Sequence, residues 1–148
     1  MQILFKRLNP DAIVPYHGSE GAAGYDLYAA SIKNEEGVQI HPGEVLRIGT
    51  GLAMAIPEGY AGLILPRSGM ATKRGLRPAN TPGLLDFDFR GEISVVLRND
   101  SNQTQIVTNG ERIAQMVIVP FLSVEWVEAD KLDDTVRGCG GFGSTGTK

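Results

Sequence analysis

Two stretches, one basic and one with paired acids, carry residue types that suit phosphate chemistry. In PRSGMATKRGL at 66–76, Arg67 and Ser68 stand at the start of a short helical pattern. Free N–H groups and the dipole at a helix start favour an anion, and Lys73 and Arg74 add positive charge nearby. Without a ligand, the same residues read as a capped helix with solvated charges. In NTPGLLDFDFRGE at 80–92, Asp86 and Asp88 are separated by one residue. In an extended chain they point to one side, and Phe87 and Phe89 to the other. A carboxylate beside an apolar wall can orient a water or a sugar hydroxyl. The plain alternative is a hairpin whose acids face solvent.

Asp26 lies in AAGYDLYAA, a strand-like run of small residues where an acid can serve a cation. Gln115 interrupts the apolar run GERIAQMVIVP, and a buried Gln must find partners. Structural satisfaction accounts for either residue taken alone. The segment RGCGGFGSTGTK at 137–148 carries Arg137, a permanent bidentate phosphate donor. Ser144 and Thr145 are hydroxyl donors, successive glycine N–H groups can form an anion nest, and Phe142 can stack on a base. Gly138, Gly140 and Gly143 match G-x-G-x-x-G, but no helix or acid follows them. Gly141 and Gly146 have P-loop spacing, but Thr147-Lys148 reverses the required order. By composition alone, this stretch is a disordered terminus. No G-x-S-x-G elbow is present, and neither His17 nor His41 sits in a nucleophile–base arrangement. Basic donors with isolated acids suggest attack by water with help from a metal.

The elements that must position these residues are short. The chain has 148 residues, 42% of them apolar, which suits one domain with its own core. Glycine is 19 of 148, about 13% against a usual ~7%, and eight prolines sit among them. Strand-like runs fall at 2–8, 25–29, 38–40, 44–48, 52–56, 60–65, 92–97, 105–107, 113–120 and 124–127, many separated by turn signals. The one helix has Ser68 as N-cap, continues through Arg74 and stops at Gly75. This pattern predicts an all-β protein with one short helix: an antiparallel sandwich, jelly roll or barrel. The β domain is expected over 1–136, with a flexible tail over 137–148. A net charge of −3 argues against a nucleic-acid-binding surface as the main feature. No apolar run is long enough for a membrane span, and no signal-peptide pattern opens the chain. The lone Cys139 suits a reducing compartment, so the cytoplasm is expected.

Five segments, AAGYDL at 22–27, PRSGMATKRGL at 66–76, NTPGLLDFDFRGE at 80–92, GERIAQMVIVP at 110–120 and RGCGGFGSTG at 137–146, resemble in order the five motifs of the trimeric dUTP pyrophosphatases, or dUTPases. The resemblance spans nearly the whole chain. It implies a jelly-roll-like antiparallel β barrel or sandwich as the subunit of a homotrimer with three shared sites that hydrolyses dUTP to dUMP and pyrophosphate, with Mg²⁺ on the triphosphate. Asp86 matches the acid that orients the attacking water and contacts the sugar 3′-hydroxyl. Asn80, Gly83, Leu84 and Leu85 match the hairpin that reads uracil through backbone groups. Arg67, Ser68, Gly69 and Gln115 match phosphate contacts, and Asp26 an acid that helps hold hydrated Mg²⁺. Arg137, Phe142, Gly143, Ser144 and Thr145 match a tail that closes over the base and γ-phosphate.

Two positions depart from the family pattern. Phe89 stands where Tyr is usual; its ring is expected under the deoxyribose, where it crowds out a ribose 2′-hydroxyl without offering a phenol. Phe87 replaces a small or polar residue. The related dCTP deaminases share the fold but carry Glu where this chain has Arg90, and a guanidinium cannot act as their base. A regulatory protein that uses the same fold to bind a partner is the remaining alternative.

Overall fold

The computed structural model describes residues 1–141 and 144. Its strands are β1 (Leu4–Arg7), β2 (Tyr16–His17), β3 (Tyr25–Tyr28), β4 (Val38–Ile40), β5 (Val45–Gly49), β6 (Leu52–Ala55), β7 (Tyr60–Leu65), β8 (Leu76–Pro78), β9 (Gly83–Leu85), β10 (Ser94–Asn99), β11 (Gln105–Val107) and β12 (Arg112–Pro120). Helix α1 (Ser68–Arg74) joins β7 to β8. A five-stranded sheet runs β2-β3-β12-β7-β9 and a three-stranded sheet β5-β10-β8; β1 pairs β6, and β4 pairs β11. Every pairing is antiparallel. Leu27, Ile40, Leu52, Leu76, Leu97 and Ile113, drawn from all four sheets, meet in one fully buried cluster. Burying each such side chain stabilises the fold by roughly 1.5–3 kcal/mol. The all-β, jelly-roll-like expectation with one short helix therefore holds among the described residues. None of their helices is long and apolar enough to cross a membrane.

Local departures have physical reasons. Ser68 is not the N-cap of α1. Arg67 holds that position in extended conformation, with no side-chain cap, and Ser68 is the first helical residue. Gly75 does end the helix, in the left-handed region at φ 66° that L-residues avoid. The run expected at 92–97 is paired at Ser94–Asn99 instead, because the chain changes sheets there. Ile93 still bonds to Leu52 on β6 (2.8 Å), whereas Ser94 already pairs with Gly49 on β5. The stretch at 124–127 forms no strand, and the chain is exposed from 121 to 136. Val124 and Trp126 face solvent there, and no sheet edge supplies them with a ladder. The short β2, β8 and β9 exist because longer neighbours template them.

Candidate active site

The phosphate candidates gather where β3, β12 and β7 run side by side. Asp26 on β3 pairs with Gln115 on β12, which pairs on its other side with Leu65 of β7. A bulge between Arg112 and Ala114 shifts the register of β12. Ile113 and Ala114 are consecutively buried as a result. The extra residue turns Arg112 and Gln115, three apart, onto the face that carries Asp26 and Tyr28. Asp26 is buried, and its two oxygens accept from Arg67 Nε (2.8 Å) and Arg112 Nη1 (3.2 Å). Arg67 Nη1 also donates to the Arg112 carbonyl (3.3 Å). Gln115 Nε2 donates to the Pro66 carbonyl (2.9 Å), one residue before Arg67. Arg67 is thus held from both sides at the entry to α1.

Gly24 completes this frame, since a Cβ there would stand 2.7 Å from Gln115 Oε1. Gly69 differs: a Cβ would meet nothing within 4 Å, so no atom of the described residues demands glycine. The open space belongs to a cavity of about 490 Å³, which Arg67, Gly69, Lys73 and Arg112 line together with Tyr28. Arg74 borders it too, but is engaged with Glu111 and with Gln105 Oε1 (3.1 Å). Ser68 is exposed beside Gly69.

The Asp86 candidates gather elsewhere. Asn80, Gly83, Leu84, Leu85, Asp86 and Phe89 line a second cavity of about 240 Å³. β9 supplies three of them and is an edge strand, with β7 as its one neighbour among the described residues. Residues 86–90 are not extended. Phe89 N donates to the Asp86 carbonyl (3.2 Å), and Arg90 Nη1 donates to the carbonyls of Phe87 (2.6 Å) and Phe89 (2.8 Å). This turn corrects the expected alternation: Phe89 faces the same cavity as Asp86, while Phe87 is half-buried against the core. Gly91 lets the Phe89 ring lie where it does, because a Cβ would stand 2.6 Å from its Cζ and push the ring aside.

Sequence reasoning missed Arg47, Glu92 and Val96 in this cavity. Strand alternation would have put Arg47 and Val96, cross-strand partners on β5 and β10, on one face had their register been known. Glu92 is a local anchor, accepting from Gly51 N and Ser31 Oγ at 2.8 Å each. Arg112 and Tyr28 were likewise missed, since only the bulge brings Arg112 round.

Arg67 and Gly69 of the phosphate set line a different cavity from the Asp86 set, and Ser68 and Gln115 line neither. Arg137 lines neither; its Nε donates to the Gly140 carbonyl (2.9 Å). Ser144 N donates to the Gly141 carbonyl (3.0 Å). Phe142, Gly143 and Thr145 lie outside the described residues.

A family model described as dUTPase matches residues 11–146. The chain belongs to the dUTPase family. Membership bears out the expected resemblance and its enzyme class, the dUTP diphosphatases. A relative from Hydrogenobaculum sp., named deoxyuridine 5′-triphosphate nucleotidohydrolase, is 49% identical over 148 residues and covers all of both chains. One of the same name from Nautilia profundicola is 49% identical over 99% of each. Among solved structures, the dUTPase of Staphylococcus bacteriophage 80alpha with the nucleotide dUpNHpp superposes with a TM-score of 0.82 at 29% identity, covering 98% of each chain.

Proposed function

We propose that the protein hydrolyses dUTP to dUMP and pyrophosphate, splitting the anhydride between the α- and β-phosphates with a water oriented by Asp86. The observation that carries this reading is the cavity in which Asp86 and Phe89 meet Asn80 and the edge strand β9. Uracil presents one N–H donor between two carbonyl acceptors. The alternating backbone groups of an unpaired strand edge match that pattern. The Phe89 ring beside Asp86 offers a packing face for deoxyribose. Asp86 accepts a hydrogen bond from the water and takes its proton as the water oxygen bonds to phosphorus, and pyrophosphate leaves. Arg67, Ser68, Gly69 and Gln115 neutralise and orient the phosphates, which this chemistry needs more than a protein nucleophile.

Mg²⁺ fits this arrangement only through water. Asp26 already accepts from two guanidinium groups, and among the described residues no group of three His, Cys, Asp or Glu could hold a metal ion. Substrate phosphates and waters would supply the remaining positions, the coordination Mg²⁺ prefers. When bound, the ion neutralises charge on the triphosphate.

The reading includes the homotrimer with three shared sites that the resemblance implies, and the division of the residues between two cavities supports it. A neighbour's Asp86 cavity would face this chain's phosphate cavity. The tail of a third copy, with Arg137, Phe142, Gly143, Ser144 and Thr145, would close over base and γ-phosphate. Exposed Leu122, Trp126, Leu132 and Val136 offer apolar surface for such contacts. The reading includes a cytoplasmic setting. Deamination is disfavoured because Arg90 is a guanidinium strapped to two carbonyls. Purified protein incubated with dUTP, dCTP, dTTP and UTP tests the reading. Pyrophosphate release from dUTP above the others supports it, and ammonia release from dCTP overturns it.

A further inference from the structure

The turn that carries Asp86 has a second anchor outside the nucleotide cavity. β9 ends at Leu85, which pairs with Gly62 of β7, and β12 ends at Pro120, which pairs with Tyr60 of the same strand. The residues that follow each end therefore emerge on either side of the start of β7. Phe121 is tied there, its N–H donating to the Gly59 carbonyl (3.0 Å). Phe87 meets it: the ring centroids are 6.1 Å apart and the planes inclined by 28°, within the range of an attractive aromatic pair. Phe87 also packs against the buried core. Asp86 precedes Phe87 directly, and Phe89 follows two residues later. The Arg90 guanidinium binds the carbonyls of Phe87 and Phe89 and closes the turn upon itself. The strap fixes the shape of the turn. The stacked ring fixes where that turn sits on the sheet.

We propose that Phe87 and Phe121 are a positioning pair: Phe121, at the root of the segment 121–136, holds Phe87 and so sets the Asp86 carboxylate and the Phe89 ring against the nucleotide. Neither ring touches substrate in this assignment. The inference rests on Asp86 as the water-orienting residue. Family members with a small or polar residue in place of Phe87 lack this anchor, so the pair is a property of this chain's own sequence. It also links the catalytic turn to the first residue of the exposed segment, so displacement of Phe121 is felt at Asp86.

The test is a double-mutant cycle in dUTP turnover with Phe87→Ala, Phe121→Ala and the double variant. Rates are expressed per nucleotide site titrated with dUpNHpp, so that a misfolded fraction does not count. Each single variant is expected to lower kcat about fivefold and leave KM within about twofold, in line with the loss of one aromatic pair. The double variant should match the singles, because the second ring has nothing left to hold. Phe121→Tyr should restore kcat to within about twofold of wild type. Multiplying effects in the double variant, or an unchanged kcat in both singles, overturns the pair. Leucine replacements at both positions keep the cycle measurable if the alanine variants do not fold. A wild-type protein without dUTP turnover overturns the reading of Asp86 and the positioning role with it.

Discussion

Replacing Gly24 by alanine should injure catalysis while leaving the fold nearly intact. Gly24 is not in the left-handed region, so an alanine there is not strained by its own backbone. The added Cβ would stand 2.7 Å from Gln115 Oε1 and 3.4 Å from Gln115 Cδ. Real Cβ contacts do not reach the first distance, so the amide must swing aside. It is the far end of a flexible side chain, so the movement costs the fold little. What is lost is the 2.9 Å bond from Nε2 to the Pro66 carbonyl. One such hydrogen bond contributes about 1 kcal/mol to stability. The catalytic loss is larger, because Gln115 is assigned to the phosphates and steadies the entry to Arg67. Removing a donor aimed at transition-state charge typically costs ~3 kcal/mol, and a displaced donor should forfeit part of that, so kcat/KM falls roughly tenfold to a hundredfold. The assay is steady-state hydrolysis of dUTP by Gly24→Ala, Gln115→Ala and the double variant, with melting curves. In the Gln115→Ala background the clash is gone, and Gly24→Ala should then be silent. Wild-type kcat/KM in the single variant, or a full further loss in the double, refutes the steric reasoning.

Other perturbations probe separate parts of the account. Phe89→Tyr should change the preference for dUTP over UTP only modestly, because ring packing excludes the 2′-hydroxyl in both; a gain beyond about tenfold, ~1.4 kcal/mol, in competition kinetics would assign discrimination to the phenol. Deleting 137–148 should leave melting and trimer mass by light scattering nearly unchanged but reduce kcat/KM severely, since Arg137 and the hydroxyl donors leave together; loss of the trimer would make the tail structural instead. Asp100→Asn should spare activity and lower stability slightly at neutral pH. Arg98, then Arg77, hold the Asp100 carboxyl below its usual range. The contribution is therefore present above the unfolded pKa and lost as pH falls through the folded one, so the melting difference from wild type should close on acidification.

Much of the fold was legible because hydrophobic runs bounded by turn residues mark strands locally. The runs at 38–40, 60–65 and 105–107 coincide with β4, β7 and β11, and Gly75 ends α1 as its type requires. What was not legible depends on partners distant in sequence. Val124 and Trp126 have strand-forming types but meet no ladder. Ser94 rather than Glu92 opens β10 because the chain changes sheets at Ile93. The candidate residues were readable by type and order. Their frame was not: the β12 bulge, invisible in a nearly continuous apolar run, is what turns Arg112 toward Asp26. The destination of Phe87 likewise required Phe121, 34 positions later, to be known as its neighbour.

The central claim is that the Asp86 carboxylate orients the attacking water, and Asp86→Asn tests it most directly. The amide keeps the size of the side chain but cannot take the proton. Single-turnover hydrolysis of dUTP should be abolished in the purified variant, while dUpNHpp affinity and oligomeric mass stay near wild type. Turnover near the wild-type rate in that variant would contradict the account.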